Sequence, residues 1–71
     1  MKLNDAKAGY SGEITAIDGD TRFLSRITSI GLTIGCTIEI MKNDKKQPVL
    51  LLSRDSVIAV NRKDCNRIEV K

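Results

Sequence analysis

Apolar residues recur along this chain with two different periods. From Ser11 the order Ser-Gly-Glu-Ile-Thr-Ala-Ile places apolar side chains at Ile14 and Ala16, the two-residue spacing of a strand with one buried face. With the glycine-bearing turn before it at Gly9, this predicts a strand from about Ser11 to Asp18. Ile17 breaks the alternation, and Gly12 is the kind of residue that a bulge or a close backbone approach uses. The spacing then lengthens. Phe23, Leu24, Ile27 and Ile30 share one side of a helix, with Asp20 as N-cap and Gly31 as C-terminal cap. Arg22, Ser25, Arg26 and Ser29 fall on the opposite side, facing water or a partner.

Beyond the helix the two-residue period returns. Leu32 to Cys36 reads as a tight turn in which Gly35 supplies the positive φ of a type II geometry. Thr37 to Met41 predicts a half-buried strand with Ile38 and Ile40 on one face. Asn43 to Lys46 forms a charged hairpin tip. Pro48 opens a return strand whose apolar run, Val49 to Leu52, suits burial on both sides. A turn at Arg54 and Asp55 leads into a fourth strand, Ser56 to Val60. Asn61 to Asn66 makes a polar turn with room for one helical turn, and Arg67 to Val70 closes the chain with Ile68 and Val70 inward. Five short strands and one helix, unbroken by any linker or repeat, predict a single mostly β domain over residues 1–71. Its architecture is a small, partly closed antiparallel barrel, because closure hides the edges that a small sheet otherwise exposes.

Composition narrows the function. A chain of 71 residues with one Phe, one Tyr and no Trp builds its core from Ile, Leu and Val. So small a core cannot open the roughly 300 Å³ of a typical small-molecule site without losing its own packing. The net charge of +3 comes from mixed signs spread along the chain, a solubility feature first. The more basic stretch from Lys42 to Lys71 is a solvated surface or, in the alternative, a face for a polyanion. Neither an apolar run after Lys2 nor a span of about 20 apolar residues is present, so a cytoplasmic protein without membrane insertion is expected. In that reducing setting Cys36 and Cys65 are expected as free thiols in or near the core.

Catalytic chemistry is scarce. Histidine is absent, which removes the commonest general base and the usual zinc patterns, and no enzyme activity is expected. Asp18 and Asp20 flank Gly19, but two carboxylates fall short of the six to eight oxygens that calcium takes; they read as a turn and a helix cap. Two cysteines are too few for a four-thiolate cluster. No metal site and no cofactor are expected.

Taken in order, Leu3, Gly9, Gly12, Ile14, Ile17, the helix Phe23-Leu24-Ser25-Arg26-Ile27, the stretch Ile30-Gly31-Leu32-Thr33-Ile34-Gly35-Cys36-Thr37-Ile38, Pro48-Val49, Ser56 to Val60 and Ile68-Glu69-Val70 form a pattern that resembles the FeoA family, ferrous iron transport protein A. The sequence departs from the family pattern where Ile34-Gly35 replaces a usual Pro-Gly, Asn61 a usual arginine, with Arg62 one place on, and Cys65 a usual alanine. The resemblance implies an SH3-like barrel and a cytosolic accessory protein without enzyme activity. It further implies a partner, the G-protein domain of the membrane ferrous iron transporter FeoB.

For docking, the residues singled out are Arg22, Arg26, Leu32 and Thr33, on the outer side of the helix and the turn after it, with Gly31 and Gly35 as structural turn residues. Leu32 has a structural reading too, packing back on the helix behind the capping glycine. Arg26 has one as well, a surface ion pair. Two alternatives compete with a transport accessory. A nucleic-acid-binding barrel would need exposed aromatics, for which only Tyr10 is available. A repressor-type SH3-like interaction domain would share the fold.

Overall fold

Strand β1 (Ser11–Ile17) serves two neighbours in turn, and this is what curls the sheet. Its first half pairs antiparallel with β2 (Thr37–Lys42), Gly12 standing opposite Ile38. Its second half pairs with β5 (Ile68–Val70), and the register shifts between Ile14 and Ala16. That bulge explains the broken alternation: Ile14 is buried, Ala16 turns outward to solvent and Ile17 packs at the core margin. Gly12 serves the other purpose, close approach. A Cβ there would collide with the Lys71 carbonyl and lie 2.9 Å from the Tyr10 ring. Without it, Lys71 and Glu13 exchange two backbone hydrogen bonds of 3.0 and 3.1 Å.

Strands β3 (Val49–Ser53) and β4 (Ser56–Val60) complete a five-stranded antiparallel sheet in the order β4-β3-β2-β1-β5. Between β4 and β5 runs α2, a single turn over Arg62–Cys65, capped by the Asn61 side chain, which accepts from the Lys63 N–H at 3.2 Å. The computed structural model describes all residues 1–71. The β3 run proves one-sided. Val49, Leu51 and Ser53 point inward while Leu50 and Leu52 are half-buried on the outer face, so the expectation of burial on both sides is corrected.

Fifteen apolar residues make one core, to which every strand contributes. A 3₁₀ turn at Leu3–Asp5, not anticipated from the periodicity, adds fully buried Leu3 and Ala6 to it. Three residues are too short a segment to declare a period. Asn43 fastens this turn to the β2–β3 hairpin by donating to the carbonyls of Asn4 (3.1 Å) and Ala6 (2.6 Å), and Arg62 donates to the Asn43 side chain in turn. Ser53 is the one buried polar residue, and its hydroxyl donates to the Thr37 carbonyl at 3.2 Å.

Candidate functional site

Helix α1 (Thr21–Ser29) begins as its sequence dictates, with the Asp20 carboxylate accepting from the Phe23 N–H at 2.8 Å. It ends in a Schellman motif. The Gly31 N–H donates to the Thr28 carbonyl (3.0 Å) and the Leu32 N–H to the Ile27 carbonyl (3.2 Å), with Gly31 at φ +105°. The motif carries Leu32 inward, where it is fully buried beside Ile27. Leu32 is therefore a core residue, and its selection as a docking contact is corrected. The following turn closes with the Cys36 N–H donating to the Thr33 carbonyl at 3.1 Å and with Gly35 at φ +93°, which fits the type II reading.

The buried side of α1 is narrower than the periodicity suggests. Only Phe23 and Ile27 are buried in the helix; Leu24 and Ile30, expected inward, are 38% and 41% exposed. A nine-residue helix resting on a small barrel has too little surface beneath it to cover four apolar side chains. Arg22, Arg26 and Ile30 consequently form one exposed stripe at intervals of four residues, and the chain continues past Thr33 to Ile34, 64% exposed. The sequence offered a signal for these two isoleucines: a polar helix flank that ends in an apolar residue, and an apolar residue at the outer position of a turn.

Electrostatics organise the stripe. The Arg26 guanidinium donates to both oxygens of Asp64 on α2, at 3.0 and 3.3 Å, so its surface-pair reading and its place on the outer face both hold. Arg26 and Arg67 also lie over the Phe23 ring, 5.3 and 5.1 Å from its centre. Each such contact is worth about 0.5–1 kcal/mol at an exposed site. Arg22 makes no ion pair, and Thr33 is half-buried. The docking set thus divides into Arg22, which is free, Arg26, which is fixed, Thr33 at the rim and Leu32 within.

Elsewhere the chemistry is structural. Asp20 caps α1, and no three metal-ligating side chains of the His, Cys, Asp and Glu types come together. Both cysteines are free and buried; burial pushes the Cys65 thiol up to about 11, and its Sγ–H donates to the Val60 carbonyl at 3.5 Å. Tyr10, the one aromatic that the nucleic-acid reading had available, is half-buried and packs against the core. A shallow open groove along β1 and β2 is lined by polar residues, among them Glu13, Glu39 and Asp55, and is too open to enclose a small molecule. No helix is long and apolar enough to cross a membrane.

A curled five-stranded antiparallel sheet, one helix after its first strand and a helical turn before its last define an SH3-like domain. The model of the FeoA domain matches residues 1–71, and the chain belongs to that family. No curated protein sequence matches it. Among solved structures, the iron uptake regulatory protein FeoA superposes with a TM-score of 0.95 at 22% identity, covering 100% of this chain and 95% of the other. FeoA of Stenotrophomonas maltophilia, a prokaryotic SH3 domain protein complexed with zinc, superposes at 0.81 with 14% identity, covering 100% and 89%. A manganese-dependent transcriptional repressor gives 0.90 at 15% identity, where the match covers 99% of this chain but 40% of the repressor. At these identities the likeness speaks for the fold.

Proposed function

We propose that this protein is a cytoplasmic accessory factor of ferrous iron uptake that docks through α1 and the turn after it on the G-protein domain of a FeoB-type membrane transporter. Membership of the FeoA family supports the pathway. The observation that carries the docking surface is the stripe of Arg22, Arg26 and Ile30 continued by Thr33 and Ile34. It sets two exposed isoleucines among arginines on an element pinned to the core by the Schellman motif. Interfaces are commonly built this way, with an apolar centre, enrichment in Arg and rigid support. Leu32 contributes from beneath by fixing the turn.

A docking protein changes its partner's state only by binding one conformation better than another. Pull-down of the transporter's soluble G-protein domain in each nucleotide state checks this: the expected result is capture that differs between states. No capture in any state, together with salt-sensitive affinity for RNA or DNA, would replace this reading with the nucleic-acid one.

A further inference from the structure

Arg26 is held from two sides and still faces outward. Its guanidinium donates to both Asp64 oxygens, at 3.0 and 3.3 Å, and lies 5.3 Å from the centre of the Phe23 ring. Its side chain nevertheless stays 58% exposed, while that of Asp64 is only 16% exposed. On the reading that α1 docks on the G-protein domain, we propose that Asp64 is a positioning residue for that interface. It holds Arg26 in advance as a fixed donor at the centre of the stripe, aimed at a neutral carbonyl oxygen of the partner.

Asp64 is firmly mounted for this task. α2 is fastened on both sides of it: Arg62 donates to the Asn43 side chain and the Asp44 carbonyl, and Cys65 is fully buried. The pair with Asp64 occupies one N–H of each terminal nitrogen of Arg26 and leaves the other donors of the guanidinium without a partner in the chain. Arg26 stands one helical turn from Arg22 and one from Ile30, so these donors lie in the middle of the stripe, where arginine is among the residues that dominate binding. A free arginine gives up rotamer freedom on binding, whereas Arg26 has given it up on folding, so less entropy is lost at the interface. Asp64 also balances the Arg26 charge. A carbonyl oxygen therefore fits the remaining donors, and a partner carboxylate would have to compete with Asp64.

Calorimetric titration of the G-protein domain with the full chain, in the nucleotide state that binds most tightly, separates positioning from mere support of the fold. Asp64→Asn, which keeps the volume and removes the charge, should weaken binding about two- to tenfold with the unfolding transition nearly unchanged. Arg26→Ala should weaken it at least as much. Combining the two should weaken it no further than Arg26→Ala alone, since Asp64 acts only through Arg26. Unchanged or tighter binding for Asp64→Asn, or additive losses in the double variant, overturns the proposal and leaves docking through α1 standing. Absence of binding by the unsubstituted chain in every nucleotide state overturns both.

Discussion

At the β5 end of the sheet the chain covers its own edge, and at the β4 end it does not. Met1 and Lys2 run along β5, where the Val70 N–H donates to the Met1 carbonyl at 2.7 Å and Lys2 meets the Glu69 carboxylate at 3.0 Å. Leu3 and Ala6 then drop into the core, tying that cover down. β4 has neither cover nor charge, and its turn uses Arg54 and Asp55 in a left-handed conformation that favours glycine or asparagine. One end is finished by burial within the chain, the other left as accessible surface. The contrast predicts that substitutions at the β5 end cost far more stability than substitutions at the β4 edge.

The largest effect should come from Leu3→Ala, which empties a fully buried site and loosens the β5 cover; a loss of about 2–5 kcal/mol is expected in urea denaturation. Its counterpart Val57→Ala at the bare edge should change stability by no more than about 0.5 kcal/mol. Equal losses at the two positions would abolish the distinction. Gly12→Ala comes next. Its methyl group would push against the Lys71 carbonyl and part β1 from the chain's last residue, an overpacking cost of about 1–3 kcal/mol, with faster exchange of the Glu13 and Lys71 amides.

Smaller effects sharpen the same contrast. Asp55→Gly should stabilise by up to about 1 kcal/mol, since relief of roughly 1–2 kcal/mol of left-handed strain exceeds the added freedom of the unfolded chain. A lower melting temperature for Asp55→Gly would mean that the aspartate makes a contact worth more than its strain. The smallest effect belongs to Glu69, whose carboxyl is held below the ordinary value of 4.5 by hydrogen bonds from Lys2 and then from the terminal ammonium. A depressed carboxyl contributes its stability fully above the unfolded value and loses it as pH falls through the folded one. Glu69→Gln should therefore lower stability slightly at neutral pH and flatten its acid dependence below about 4.5.

Where a local signal carried its own reason, it could be read from the residues alone. Asp20 and Gly31 bound α1 because a helix needs an acceptor at its start and a positive φ at its end, and all five strands lie within a residue or so of their expected spans. Burial was harder to read, because it depends on what lies opposite. Leu24 and Ile30 have the spacing of a buried face, but the barrel beneath is too small to receive them, whereas Leu32 carried two readings, a docking contact and a residue packed back behind the capping glycine, and the second is the one that holds. The Arg26–Asp64 pair joins residues on different elements and leaves no trace in local pattern. Of the surface residues, Arg22, Arg26 and Thr33 could be named from sequence; the local signal at Ile30 and Ile34 was outweighed by the helical spacing and the turn pattern, and the fold was needed to show them exposed.

Arg26 also shows why the docking surface is best tested by mapping. Arg26→Glu would set two acids together at Asp64 and disturb α2 as well as any interface. The direct measurement is an NMR titration of the ¹⁵N-labelled protein with the transporter's G-protein domain. The largest amide shifts are predicted between Arg22 and Ile34, and Arg22→Glu should abolish them while leaving the free spectrum otherwise unchanged. Shifts centred on the strands away from α1, or none at saturating partner, would contradict the account.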